Sequence, residues 1–146
     1  TQAGVDLLGF GASSISELRG SYAQSHRELE TWHQALRERG VATMRGHFLS
    51  QEDIERRWII QRLICQSEVR ACDYREAFGG ELGERYREEL EQLAPAVTDG
   101  LVAIEADGSF AVTPLGRLLV RNVAMVFDAY LPEQERSGKR IFSKAV

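Results

Sequence analysis

The sequence predicts a mainly α-helical, winged-helix-like domain with one small β-hairpin, preceded by a single strand. Three observations carry this. Apolar residues recur at helical spacing in four stretches, an Asp-Gly pair sits between two short apolar runs, and the opening apolar run has no neighbouring strand to pair with.

The elements follow in order. Val5, Leu7, Leu8 and Phe10, set between Gly4, Gly9 and Gly11, read as a short buried strand that runs into a glycine-lined turn. The segment from Gly11 to Ser16, small and hydroxylated with one isolated Ile, leads to Gly20-Ser21-Tyr22 and reads as a loop. Only small side chains leave room for backbone to approach another group closely. Ser25 and Glu28 fit a capping box, and Leu29, Trp32 and Leu36 continue it as a helix from about residue 26 to 39, ended by Gly40. Ser50 opens a second helix, with Glu52 and Asp53 in its first turn and Ile54, Trp58, Ile59, Leu63 and Ile64 as its apolar face. Asp73 is expected to cap a short turn ending near Gly79-Gly80. Leu82, Tyr86, Leu90, Leu93 and Val97 then recur at spacings of 4, 4, 3 and 4, the pattern of one amphipathic helix that Pro95 distorts and Gly100 stops.

Asp107-Gly108, between Leu101–Ile104 and Phe110–Val112, signals a tight hairpin. Thr113 caps the last helix and Pro114 takes its first position, where a missing N–H costs nothing. Leu115, Leu119, Val123, Val126 and Tyr130 form its expected buried stripe, and Pro132 closes it. The tail, 133–146, is polar apart from Ile141 and Phe142.

Length and composition bound the function. A chain of 146 residues, 27% charged and 43% hydrophobic, is one compact domain or a piece of a longer protein, and it is neither collagen-like nor disulfide-stapled. No apolar run approaches the roughly 20 residues of a membrane-spanning helix, and the first residues lack the basic start of a secretory signal, so the expected location is cytoplasmic. A net charge of -4 and an acidic hairpin tip, Glu105-Ala106-Asp107-Gly108, argue against a nucleic-acid partner; the expected state is a monomer. Cys65 and Cys72 are expected to be buried free thiols, and His26, His33 and His47 stand outside any ligand cluster, so no metal site is expected in the chain. Sixteen Arg against two Lys would suit a polycarboxylate ligand, yet a genome-wide Arg preference explains the bias and is the favoured reading. Arg45, Arg117 and Arg121 are read as paired structural charges. No nucleophile with a base and no paired catalytic carboxylates stand out, so the chain reads as catalytically incomplete.

Several blocks carry a resemblance. Asp6 to Ser16, Gly20-Ser21-Tyr22-Ala23-Gln24, Arg45-Gly46, Leu49-Ser50 and Arg56-Arg57 resemble the C-terminal third of oxygen-independent coproporphyrinogen III oxidases. Asp99-Gly100-Leu101-Val102, Val112-Thr113, Gly116 to Asn122 and Phe127-Asp128-Ala129-Tyr130-Leu131 continue the match in order. The resemblance implies a radical S-adenosylmethionine enzyme of haem biosynthesis that decarboxylates two propionates of coproporphyrinogen III to vinyl groups, giving protoporphyrinogen IX. It implies a [4Fe-4S] cluster held by three closely spaced Cys in a barrel N-terminal to this chain, which Cys65 and Cys72 do not match in spacing. The opening strand then becomes a remnant of that missing barrel. Residues 1–24 are expected to hold this remnant and a ligand-facing loop, 25–132 the winged-helix-like domain that covers the substrate, and 133–146 a tail. Ile15 matches the family isoleucine that lines an S-adenosylmethionine site, with Gly11 and Ser13 as further candidates. No catalytic or metal-binding residue is expected in the chain itself; its partners are the barrel and coproporphyrinogen III.

Two departures from the family pattern are Ser25, where Asn is frequent, and Ala42-Thr43, where Leu-Pro is frequent. A sister group chaperones haem without oxidase activity and is one alternative; Arg121-Asn122 and the Phe127–Leu131 block favour the oxidase. An independent winged-helix interaction module is the other.

Overall fold

The computed structural model describes residues 5–131. The chain divides into two compact units, Thr1–Ile54 and Glu55–Val146. Among the described residues there are seven α-helices and two small antiparallel sheets, so the mainly helical class holds with more β-structure than one hairpin.

The first unit is built on a sheet of strands β1 (Ile15–Leu18), β2 (Ser21–Ser25) and β3 (Thr43–Phe48), in the order β1-β2-β3, with helix α1 (Leu29–Arg39) between β2 and β3. The expectation of a loop through this region is corrected. Arg19 and Gly20 both take positive φ, 43° and 77°, the mirror-image turn whose twist matches paired strands, and Ser16-Glu17-Leu18 then pair back onto Ser21-Tyr22-Ala23. Small hydroxylated side chains had disguised a ladder held by backbone hydrogen bonds.

The buried first strand is also corrected. Leu7 makes one isolated bridge, exchanging 2.8 Å hydrogen bonds with Glu17, while Val5, Leu7, Leu8 and Phe10 are 52 to 88% exposed. The capping box at Ser25 does not form, because Ser25 is the last residue of β2 and pairs with Thr43. Long-range pairing outcompetes the local cap, and α1 starts later, after an extended Glu28. Gly40 ends α1 as expected, at φ 74°, its N–H on the Leu36 carbonyl at 3.0 Å.

Helix α2 (Gln51–Gln66) opens on a reciprocal cap: Asp53 N–H donates to Ser50 Oγ at 3.1 Å and Ser50 N–H donates to Asp53 Oδ2 at 2.8 Å. Its buried stripe is Glu55, Ile59 and Leu63, narrower than expected, since Ile54 and Ile64 are exposed. Strand β4 (Glu68–Val69) and α3 (Ala71–Phe78) follow. Asp73 does not cap α3 but lies in its first turn, paired with Arg62 at 2.9 Å. The Ala71 N–H is met instead by Ser109 Oγ, at 2.9 Å.

The single helix expected over residues 82–97 is three short ones, α4 (Leu82–Arg85), α5 (Arg87–Gln92) and α6 (Ala94–Thr98). Tyr86 breaks the first join at φ -117°, ψ 31°, and Leu93 ends the second, just before Pro95 withdraws a donor. Of the expected inward positions Leu82, Tyr86 and Leu93 are fully buried and Leu90 is partly buried, while Val97, in the last short helix, is 40% exposed.

Strands β5 (Val102–Ile104) and β6 (Phe110–Val112) form the expected hairpin, and β4 adds a third strand in the order β4-β6-β5. Of Asp107 and Gly108 only Gly108 needs positive φ, at 85°. Thr113 caps the next element through its Oγ1, which accepts from Gly116 N–H at 3.0 Å. That element is a 3-10 turn, Gly116–Leu119, leading into α7 (Val120–Met125). A turn of about three residues shifts the phase of everything after it. Val123, Ala124 and Phe127 are therefore buried, while Leu115, Leu119 and Tyr130, expected inside, are 44 to 60% exposed. Pro132 and the tail lie outside the described residues. Cys65 and Cys72 are free but exposed, contrary to expectation, on the outer faces of α2 and α3.

Candidate functional site

Side chains alternate across a strand with a period of two, so antiparallel pairing stacks them in rows. In the first sheet one row is Ile15, Gln24 and Arg45, and the next row on that face is Glu17, Tyr22 and His47. These rows border a cleft of about 490 Å3 lined by Ile15, Tyr22, Gln24, Arg45, Gly46 and His47. Arg45 Nε donates to Gln24 Oε1 at 2.8 Å, which fixes the plane of the guanidinium. Burial pushes the Tyr22 phenol above its ordinary pKa. His47 Nε2 stands 3.8 Å from Asp53 Oδ2, the carboxylate that also caps α2.

The three candidate residues separate. Ile15 reaches the cleft, half-exposed on β1. Gly11 and Ser13 do not line it; at φ 94° and 61° they form the bend before β1, where Ser13 N–H donates to the His26 carbonyl at 2.8 Å. Ser14 Oγ closes the bend on the Gly11 carbonyl at 2.8 Å. Gly9 has a related role, since a Cβ there would stand 2.6 Å from the Ile15 carbonyl oxygen. The glycine-rich segment thus shapes the backbone that presents Ile15.

Tyr22, Gln24, Arg45 and His47 were not singled out together by sequence reasoning. Their signal was the i, i+2 spacing of Tyr22 with Gln24 and of Arg45 with His47, a period-two pattern with a Gly turn before it. Arg45 was expected to be a paired charge, but it forms no ion pair among the described residues. An apolar side chain, a phenol, an amide and a guanidinium on one face suit a ligand with an apolar body and an anionic edge.

In the second unit Glu55, 8% exposed, accepts from Tyr74 Oη at 2.9 Å, Tyr86 Oη at 3.3 Å and Arg85 Nε at 3.2 Å. Desolvation, then the Glu55 hydrogen bond, pushes the Tyr74 phenol up to about 12, and Tyr86 moves the same way. At the hairpin tip, Glu105 and Asp107 share a hollow with Glu81 and Glu84, a negative surface unsuited to phosphate. Among the described residues no group of His, Cys, Asp or Glu could hold a metal ion, and exposed Cys65 and Cys72 lack the further thiols an iron-sulfur cluster needs. The residues present therefore do not fit a cluster.

Among the described residues the chain is helical in the main, with two small antiparallel sheets, a cleft of about 490 Å3 and no group of side chains that could hold a metal ion. Residues 49–119 match the HemN C-terminal domain family. Over its whole length the chain is 40% identical to an oxygen-independent coproporphyrinogen III oxidase of Synechocystis sp. and 41% identical to one of Salmonella typhimurium. It superimposes with a TM-score of 0.84 and 38% identity on the coproporphyrinogen III oxidase (HemN) of Escherichia coli, a radical SAM enzyme, covering 89% of this chain and 30% of that one. The chain spans about a third of the length of these curated relatives, 32% and 31%. The resemblance read from the sequence blocks is borne out.

Proposed function

We propose that the chain is the C-terminal, substrate-covering domain of an oxygen-independent coproporphyrinogen III oxidase, which oxidatively decarboxylates two propionates of coproporphyrinogen III to give protoporphyrinogen IX in haem biosynthesis. The observation that carries the reading is similarity along the entire chain to the C-terminal part of enzymes of that name. In this reading residues 1–24 hold a barrel remnant and the ligand-facing loop, and 25–132 cover the substrate. The exposed Val5, Leu7, Leu8 and Phe10 support the remnant, since such an apolar run calls for cover from another strand or helix.

The [4Fe-4S] cluster, held by Cys outside this chain, and S-adenosylmethionine supply the radical oxidation when bound. Ile15 offers S-adenosylmethionine an apolar contact on the cleft, and the small residues before it leave room for a ligand. The covering domain excludes water, which would otherwise quench or divert a reactive centre. The protein acts as a monomer in the cytoplasm, where a reducing environment keeps Cys65 and Cys72 as thiols.

The test is the full-length protein, reconstituted anaerobically with iron and sulfide and given coproporphyrinogen III with S-adenosylmethionine. Protoporphyrinogen IX with release of two CO2 per product is expected. Absence of turnover together with tight haem binding would replace the oxidase by the haem-chaperone reading.

A further inference from the structure

Arg45 is unlike the paired arginines of the second unit. Arg56, Arg62, Arg75 and Arg85 each meet a carboxylate, of Glu89, Asp73, Glu81 and Glu55. Arg45 meets a neutral amide instead, and only through Nε, at 2.8 Å. Guanidinium carries five N–H donors in a rigid plane, so a bond at Nε sets the orientation and leaves the two terminal nitrogens to receive an oxyanion end-on. Arg45 lines the cleft in the same row as Ile15, with Tyr22 in the next row.

We propose that Arg45, aligned by Gln24, grips a carboxylate of the molecule that fills this cleft. One fork-shaped cation matches one planar, singly charged carboxylate, whereas a phosphate dianion usually gathers several donors. His47, the other basic group on the cleft, already faces the Asp53 carboxylate at 3.8 Å, so it adds little positive charge. Ile15 and Tyr22 supply the contact for the apolar body of the same ligand. The proposal rests on the function given above, in which two molecules carry such a group: the tetrapyrrole, on its propionate arms, and S-adenosylmethionine, on its amino-acid end.

Binding to the full-length, reconstituted protein separates them. Coproporphyrin III, its tetramethyl ester and S-adenosylmethionine are titrated anaerobically against wild type, Arg45→Met and Arg45→Lys. Arg45→Met is expected to weaken one of the two carboxylate ligands at least tenfold and leave the other within twofold, with Arg45→Lys recovering part of the loss. Loss for coproporphyrin III, with the ester binding wild type and Arg45→Met alike, assigns the propionate; loss for S-adenosylmethionine assigns its carboxylate. If both ligands bind Arg45→Met within twofold while the wild type turns over, this proposal is overturned and the function stands. Equal loss of all three probes marks a folding defect rather than a grip and overturns it too. A wild type that binds neither probe and consumes no coproporphyrinogen III removes the function and this proposal together.

Discussion

A carboxylate taken out of water is tolerated only when its lone pairs are met by donors, and Glu55 meets them with two phenols and a guanidinium. Glu55→Ala removes the acceptor and strands the buried hydroxyls of Tyr74 and Tyr86, so urea unfolding should show a loss of about 3 kcal/mol. Glu55→Gln keeps an acceptor and should lose less. The tyrosines give the same network a pH signature. With Tyr74 raised from 10.0 to about 12, the unfolded chain sheds the phenolic proton first, and the folded state holds it longer. The contribution is therefore complete below about pH 10 and is lost as pH rises from there toward about 12. Urea midpoints across that window should fall with pH, and the fall should be shallower in Tyr74→Phe. Glu55 was visible in the sequence as one acid among three at the start of α2. Its place four and eight residues before Ile59 and Leu63 puts it on their stripe, a position from which a charge is normally excluded.

Elements here are shorter than their sequence patterns because tertiary contacts interrupt them. Leu82, Tyr86 and Leu93 kept the periodicity of one helix, and all three are buried, yet the Tyr86 hydroxyl reaches Glu55 and its ring packs edge-on against Tyr74 and Phe127. Periodicity therefore revealed the inward residues as far as Leu93, failed at the exposed Val97, and hid where the backbone turns. The last helix was misread for a different reason: a 3-10 turn after Pro114 changed the phase, and no residue type announces that change. Gly116 marks the place. A Cβ there would collide with the Leu101 carbonyl and the Val112 side chain, so Gly116→Ala should cost about 1–3 kcal/mol in thermal or urea unfolding. Ser109 links the hairpin to α3 through the Ala71 N–H, and Ser109→Ala should cost about 1 kcal/mol, with faster amide exchange confined to the first turn of α3.

On the scale of the whole molecule, the aromatic residues of the second unit form a connected series. Trp58, Phe78, Tyr74, Tyr86, Phe127 and Phe110 touch in turn, ending in Phe110 and Phe127 stacked at 5.3 Å. Phe127, fully buried between Tyr86 and Phe110, should cost about 3–5 kcal/mol on replacement by Ala. This core was largely legible, because large apolar side chains declare themselves; the first sheet was not, because Ser, Gly and Gln strands declare themselves only through pairing. The cleft shared that fate, and of its residues only Ile15 was foreseen as ligand-facing. The separation of cleft from cluster ligands also has a test: iron and sulfide added anaerobically to the isolated chain should yield no iron-sulfur absorption, since exposed Cys65 and Cys72 are too few and too far apart in sequence to ligate one. The irregularity in the β2–β3 pairing, where Gln24 faces Arg45 but Ser25 faces Thr43, bears on how this domain can change over time. Met44 is the unmatched residue, near the end of β3 that the chain enters from α1. A residue gained or lost between β2 and β3 can be taken up there, by enlarging or erasing the bulge, without turning Arg45 and His47 away from Tyr22 and Gln24. The tight Arg19-Gly20 turn has no such slack, and one residue removed from it would send Ile15 to the opposite face. The α1 connection is thus the permissive hinge for length variation, and the β1–β2 turn is the fixed gauge of the cleft.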